Sequence, residues 1–349
     1  MKSSFCISAA RDDPSWTPTV VSWSTSLNKT SDKPLSTSES PGVCTPVAPV
    51  RPKLKTKCSS KCPIGLVNLG NTCYANSLLQ SLFFLPEIWS KIPSTFYNSS
   101  PFTKSFMTVM TFLRNNSIAV DPSFFLSQLG SLISKEKGEA FVVNRSHDAP
   151  EVLQHTLNVI LQCSALPTNL VNISLVNSTS CTQCDCASVI EDNHTILRVV
   201  AASSVQQAIM QLQQTSMLEG ENMWHCPSCN DKREAIRSTR FASLPSILII
   251  HIERFTHILP SQFFKNYIDV TCTSPLSIFE HVDDTTYLKR TYNLRAVVHH
   301  SGTMEDGHYT ASVFDKKQDK WFNCNDKAVV AATSKANKKT PYLLFYVQN

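Results

Sequence analysis

Cys73 stands where a turn-rich stretch, Ile64-Gly65-Leu66-Val67-Asn68-Leu69-Gly70-Asn71-Thr72, gives way to apolar residues at helical spacing. Tyr74, Leu78, Leu82 and Leu85 share one face, Asn71 or Thr72 is placed to cap the start, and Pro86 is placed to close the end. A cysteine at a helix N-terminus lies among unpaired backbone N–H groups at the positive end of the helix dipole. Both stabilise a thiolate, so the pattern predicts a thiol of lowered pKa and a nucleophile. The same N–H groups can donate to an oxyanion on an attacked carbonyl, and Asn68 adds a side-chain amide nearby. Against this stands the ordinary case. A lone cysteine is most often a small buried hydrophobe, and an asparagine beside glycines is most often a turn former.

A cysteine nucleophile needs a histidine close in space, though not in sequence. Of the ten histidines, His308 stands apart. It follows a polar, glycine-flanked loop, His300-Ser301-Gly302-Thr303-Met304-Glu305-Asp306-Gly307, set between the apolar runs Ala296 to Val298 and Ala311 to Phe314. That places His308 at the opening of a strand, facing whatever enters beside the loop. Further on, Trp321-Phe322-Asn323-Cys324 is a short aromatic strand running into two adjacent polar residues, Asn325 and Asp326.

The remaining cysteines that attract notice are paired. Cys181-x-x-Cys184 and Cys226-x-x-Cys229 form two knuckles whose four thiolates suit a closed tetrahedral Zn2+ site with a structural role. Cys186 is near enough in sequence to replace Cys184. An independent zinc ribbon for nucleic acid is the alternative, but the surrounding sequence lacks a dense basic cluster. Asp148-Ala149-Pro150-Glu151 opens an amphipathic helix through Val152, Leu153, Leu157, Ile160 and Leu161, with Asp148 as N-cap and Glu151 as its capping-box partner.

The string Gly65-Leu66-x-Asn68-Leu69-Gly70-Asn71-Thr72-Cys73-Tyr74-x-Asn76-Ser77-Leu78-Leu79-Gln80 closely resembles the cysteine box of the ubiquitin-specific proteases, a papain-like family. Gly307-His308-Tyr309 resembles the core of their histidine box, and Trp321 to Val329 the segment supplying the third catalytic residue, in the same order along the chain. By position in that segment Asn325 matches the residue that holds the imidazole. Neighbouring side chains on a strand point to opposite faces, so Asn325 is expected at the His308 Nδ1–H while Asp326 points away and acts from behind, near the oxyanion. The run His147 to Leu153 resembles the family's Gln-x-Asp-Ala-x-Glu-Phe motif, which makes Asp148 a contact for the basic tail of ubiquitin. Pro150, Val152 and Ser146 depart from that motif. Ile247 to Phe255 resembles a strand ending in Lys-Arg-Phe, with Glu253 reversing the charge at the lysine position.

The elements that must position these residues follow. The resemblance covers about Pro63 to Asn349 and implies an α+β, papain-like cysteine protease shaped as a right hand. A helical thumb carries Cys73, a β-rich palm carries His308 and Asn325, and zinc-tipped fingers carry the knuckles and grip ubiquitin. Leu244 to Phe255 reads as a buried strand and Pro341 to Val347 as a closing strand. With 42% hydrophobic and 17% charged residues, most of the 349-residue chain can bury a core. Residues 1–62 are different: rich in Ser, Thr and Pro and without apolar periodicity, they are expected to be a disordered N-terminal extension. Arg51, Lys53, Lys55, Lys57 and Lys61 account for the net charge of +5 and read as a solvated linker. No apolar run reaches the length of a membrane span, and no secretory signal is present, so an intracellular protein, in cytoplasm or nucleus, is expected. Its thirteen cysteines then belong to a reducing compartment. The expected partners are ubiquitin and ubiquitinated proteins, with neither nucleic acid nor a membrane. A hydrolase for a ubiquitin-like modifier and a ubiquitin-binding pseudoenzyme are the rival readings.

Overall fold

The computed structural model describes residues 63–349 except 164, 260–261, 283–284, 304–306 and 333–339. The expected disordered extension over 1–62, with its basic tract, lies outside the described residues. Among the described residues six α-helices come first: α1 (Cys73–Phe83), α2 (Pro86–Trp89), α3 (Ser94–Ser99), α4 (Pro101–Asn115), α5 (Ser123–Lys137) and α6 (Ala149–Ile160). The helix α7 (Val205–Leu212) falls among the strands. Among the described residues no helix is long and apolar enough to cross a membrane.

Helix α1 is buried along nearly its whole length, from Cys73 to Leu82. It ends at Phe83, sooner than Pro86 suggests. Pro86 instead opens α2, where a missing backbone N–H leaves nothing unpaired, and Leu85 is buried just outside the helix. Thr72 precedes α1 but does not cap it. Its Oγ1 accepts from Leu69 N and donates to Asn68 Oδ1, so it serves the loop rather than the helix.

Two sheets follow. In the smaller, β1 (Ile173–Cys181), β2 (Ala187–His194), β4 (Ser216–Leu218) and β7 (Ala235–Ser243) run in the order β2-β1-β7-β4. β1 is buried over its first three residues and partly open from there to its tip. Beyond that tip, β5 (Trp224–Cys226) and β6 (Asp231–Arg233) form a two-stranded ribbon. The larger sheet holds β3 (Leu197–Val200), β8 (Ile247–Glu253), β11 (Leu276–His281), β12 (Tyr287–Gly302), β13 (Gly307–Asp315), β14 (Lys320–Asn325), β15 (Ala328–Ala331) and β16 (Pro341–Gln348). Its order is β15-β14-β13-β12-β16-β8-β3, with β11 on the far part of β12 and β3 parallel to β8. β9 (Phe255–Leu259) and β10 (Gln262–Lys265) make a separate hairpin.

The large sheet is covered on both faces, which explains the apolar run over residues 247–250 of β8. Ile247 and Ile249 join Ala296, Val298, Leu343 and Phe345 in a core shared with the helices from α1 to α6. Leu248, Ile250 and Ile252 point the other way, into a core with Val205, Ala208 and Ile209 of α7. This is the expected thumb, palm and fingers, and β8 and β16 fall where the sequence put them.

Thumb and palm meet at Gly65. Leu66 N donates to the carbonyl of Asp326 at 2.9 Å, in the turn between β14 and β15. A Cβ on Gly65 would lie 2.4 Å from the Lys327 carbonyl oxygen and 2.5 Å from that of Asp326. Both are backbone atoms fixed by a hairpin, so neither can give way. Gly65→Ala is expected to cost about 1–3 kcal/mol, the usual range for overpacking, as a lowered urea midpoint at constant m-value.

Candidate active site

The loop before α1 is built on Asn68. Its Oδ1 accepts from Gly70 N at 3.0 Å and from Thr72 N and Oγ1, both at 3.2 Å. The turn requires left-handed backbone at Gly70 (φ +94°) and Asn71 (φ +52°), conformations that glycine and asparagine accept most readily. The amide end of the same side chain is not spent on the turn. Asn68 Nδ2 donates to Asp326 Oδ2 at 2.9 Å. Asn76, one turn into α1, donates to Asp326 Oδ1 at 2.7 Å. Asn76 had no role in the sequence reading, although its place on the helix, three residues after Cys73, puts it on the side facing the palm.

Helix α1 packs on β13, the strand that carries His308 and Tyr309. The backbone N–H of Tyr309 reaches the Cys73 thiol, as do those of Tyr74 and of Cys73 itself, and each favours the thiolate. The thiol pKa is nevertheless raised. Burial is the largest cause, since only 6% of Cys73 is exposed, and the Asp326 carboxylate adds to it. The lowered pKa expected from the helix start is therefore corrected: the helix N-terminus does supply N–H groups, but the sheet packed over it removes the water a thiolate would need.

His308 Nε2 lies 2.8 Å from Asn325 Oδ1. The orienting bond is thus on Nε2 rather than on the expected Nδ1. An amide oxygen can only accept, so Nε2 carries the proton and Nδ1 keeps a lone pair. Asn325 and Asp326 diverge as anticipated, for a different reason. Asn325 ends β14 paired with Ala328, while Asp326 sits in the two-residue turn between them with φ +48°, so a hairpin and not strand alternation separates the side chains.

Asp148 stands at the N-cap position of α6 but does not cap it, and Glu151 pairs with Lys137 instead. Asp148 Oδ1 accepts from Tyr342 Oη at 2.9 Å and from Tyr309 Oη at 3.2 Å. The capping is done by Tyr309, whose hydroxyl accepts from Ala149 N at 3.5 Å. The residue is exposed at the surface, yet the protein crowded around its carboxyl pushes the pKa above the ordinary value, against the two hydroxyl bonds that lower it. Tyr309, the residue beside His308 on β13, thus ties Asp148 to that strand. Sequence spacing gave no sign of either tyrosine.

At the fingers, the sulfur atoms of Cys181, Cys184, Cys226 and Cys229 all lie within 4.8 Å of one another, and none is in a disulfide. Cys184 Sγ is 3.5 Å from Cys226 Sγ and 3.6 Å from Cys229 Sγ. Four convergent thiols at this spacing fit a tetrahedral metal ion, and Cys184 rather than Cys186 completes the set. They join the tip of β1 to the β5–β6 ribbon, whereas Cys73 opens α1.

The family profile described as ubiquitin carboxyl-terminal hydrolase matches residues 64–346. Ubiquitin carboxyl-terminal hydrolase 12 of Salmo salar is 28% identical, over 81% of this chain and 88% of that protein. Ubiquitin carboxyl-terminal hydrolase 26 of Arabidopsis thaliana is 27% identical over 80% of this chain, which spans 27% of that relative. The human ubiquitin carboxyl-terminal hydrolase 17-like protein 11 is also 27% identical, over 90% of this chain and 63% of its own length. In fold, the chain is similar to one in the SAGA Ubp8/Sgf11/Sus1/Sgf73 DUB module bound to ubiquitin aldehyde, with a TM-score of 0.68 and 22% identity over 82% of this chain and 69% of that one. The chain belongs to the ubiquitin carboxyl-terminal hydrolase family and carries a cysteine-type deubiquitinase domain.

The metal cluster yields a direct expectation. The purified protein should hold one divalent ion per chain by elemental analysis, and Cys226→Ser should lose both the ion and solubility, because ligand binding there contributes to folding free energy. A soluble, metal-free wild-type protein with a native melting transition would contradict it.

Proposed function

We propose that this chain hydrolyses the bond after the C-terminal glycine of ubiquitin, with Cys73 as nucleophile, His308 as base and Asn325 as the residue that orients the base. The observation that carries this is the meeting, from three distant segments, of the Cys73 thiol with the His308–Tyr309 backbone and of the Asn325–Asp326 turn with the loop of Asn68. The thiol holds its proton at neutral pH because burial raises its pKa. His308 therefore acts as a general base at the moment of attack. Nδ1 takes the thiol proton while Nε2–H stays on Asn325. Sulfur adds to the glycine carbonyl, and the oxyanion meets the N–H groups at the start of α1 and the second hydrogen of the Asn68 amide. Collapse expels the amine, which takes the proton back from His308, and leaves a thioester. A water deprotonated by His308 then attacks the thioester, releasing the ubiquitin carboxylate and restoring the thiol.

Asp148 supports the substrate assignment. A carboxylate exposed beside the reacting groups, its other side fixed by two tyrosines, suits a basic residue of the ubiquitin tail. We assign Zn2+ to Cys181, Cys184, Cys226 and Cys229, where it would tie strand ends and take no part in bond cleavage. Ubiquitin conjugates inside the cell are the substrates this reading names.

A ubiquitin carrying a C-terminal electrophile should label wild-type protein at Cys73, while Cys73→Ala and His308→Ala should label at background, and probes built on ubiquitin-like proteins should label far more slowly. Labelling that persists in Cys73→Ala would overturn the nucleophile; equal labelling by another modifier would overturn the substrate.

The two residues of the turn should separate by pH profile. Asn325→Ala frees the imidazole and is expected to lower kcat by roughly 10- to 1,000-fold and to move the limb of the profile that reports the base. Asp326→Ala releases Asn68 and Asn76 but removes a charge that disfavours the thiolate, so it should lower the plateau and leave that limb in place. The reverse pattern would exchange the two roles.

A further inference from the structure

Lys265 closes β10, and only 8% of it is exposed. Its ammonium donates to the carbonyl of Gly302 at 2.7 Å, to the carbonyl of His300 at 3.2 Å and to His300 Nδ1 at 3.0 Å. The rings of Phe255 and Tyr267 face Nζ at 5.4 and 5.5 Å. No carboxylate among the described residues pairs with it. The other charge it feels is Arg254, itself a buried cation that donates to the carbonyls of Pro341, Asn266 and Ile268. An ion buried without a counter-ion costs stability, and such costs gather where a site needs a particular geometry.

What Lys265 grips is the end of β12 that carries the catalytic strand. Gly302 pairs with Gly307, Ser301 with His308, and His300 with Tyr309. By occupying the Nδ1 lone pair, the ammonium sets the His300 proton on Nε2. Burial, then the ammonium, push the His300 pKa down to about 4, so the ring is neutral at working pH. Its Nε2 edge lies against Gly307, where a Cβ would stand 2.2 Å from Nε2. Ammonium, imidazole and glycine thus form a continuous stack ending on the backbone of His308. That backbone also directs Tyr309 N–H at the Cys73 sulfur.

We propose that Lys265 is a positioning residue for the hydrolysis: by holding His300 and Gly302 it sets the backbone from Gly307 to Tyr309, and with it the placement of the His308 imidazole against Cys73. The inference deepens the reading of His308 as base and rests on it. It also accounts for a lysine at a place where a methionine would fill the same space at no electrostatic cost. The contribution is geometric. Lys265 touches neither the thiol nor the reacting bond, so its loss should change the rate of the chemical step more than the binding of substrate.

The test uses the full chain with Lys265→Met and, as a reference, His308→Ala. Three quantities are read: hydrolysis of a ubiquitin C-terminal fluorogenic amide, thermal melting, and the pH dependence of Cys73 alkylation by iodoacetamide, followed on the Cys73 peptide by mass spectrometry. A displacement of about 1 Å in a reacting group costs up to roughly 100-fold in rate. The expected result is a folded Lys265→Met protein whose kcat falls about 10- to 100-fold with KM within about threefold, and whose alkylation profile moves toward that of His308→Ala. Should Lys265→Met fail to fold, Lys265→Gln, which keeps two N–H donors, is read by the same criteria. A wild-type kcat in the folded variant, or a reduced kcat with the alkylation profile unmoved, overturns the proposal. If His308→Ala itself leaves both kcat and alkylation unchanged, the assignment of the base has failed instead.

Discussion

The Asp326 carboxylate, shared between the side-chain amides of Asn68 and Asn76, joins parts of the chain at least 250 residues apart and decides where thumb meets palm. Hydrogen bonds to a charged acceptor are worth about 1.5–3 kcal/mol each, more than most contacts at a domain seam. The left-handed backbone of Asp326 lets the same residue accept from Leu66 N through its carbonyl, so one position holds both the loop and the helix that follow Gly65. The turn presents Asn325 to His308 at the same time. The proposed nucleophile, oxyanion donors and base are therefore referred to a single two-residue hairpin. Moving that hairpin would move all of them together.

A second economy concerns charge. Arg254 and Lys265 are buried side by side with only neutral acceptors among the described residues, and one guanidinium nitrogen, Nη2, has none. Burial first, and Arg254 second, push the Lys265 pKa down to about 8, from an ordinary value near 10.5. The sign of the linkage follows. Between these two values the unfolded chain binds more protons than the folded one, so the lysine's unfavourable contribution is full below about pH 8 and fades as pH rises beyond it. Such a group does not earn its place through stability at neutral pH. Its partners are the carbonyls of the strand beside His308, which is where a geometric requirement can outweigh the cost.

The parts legible in the sequence were those whose cause is local. Cys73 at a helix start, His308 at a strand opening, the two knuckles and the buried strand of β8 each follow from residues within a short window, and the structure has them there. The parts that misled depend on partners far along the chain. Asp148 and Glu151 satisfy a capping-box pattern completely, yet Tyr309 and Tyr342, from β13 and β16, claim the carboxylate, and Lys137 claims Glu151. The helix start does present N–H groups to the Cys73 thiol, but β13, which packs over it, lies more than two hundred residues along the chain, and burial outweighs the dipole. At Asn325 and Asp326 alternation predicted the right divergence by the wrong geometry, because a two-residue turn leaves no trace in periodicity when neither residue is glycine.

The raised thiol pKa and the neutral orienting residue are parts of one electrostatic arrangement. An amide at Asn325 fixes the imidazole but offers no charge to an imidazolium, whereas a carboxylate there would stabilise it directly. Asp326 carries its carboxylate at the adjacent position, close enough to Cys73 to raise its pKa. In the resting protein this field disfavours the thiolate. In the proposed attack the charges change: sulfur gives up its electron pair to carbon, and positive charge appears on His308. The negative charge passes to an oxygen that faces N–H donors. Burial adds to Asp326 in keeping the thiol neutral, which avoids desolvating a standing ion pair until the carbonyl arrives in the proposed attack. A site that keeps its resting groups neutral and aims N–H donors where charge develops stabilises the transition state more than the ground state, which is the condition for a faster chemical step.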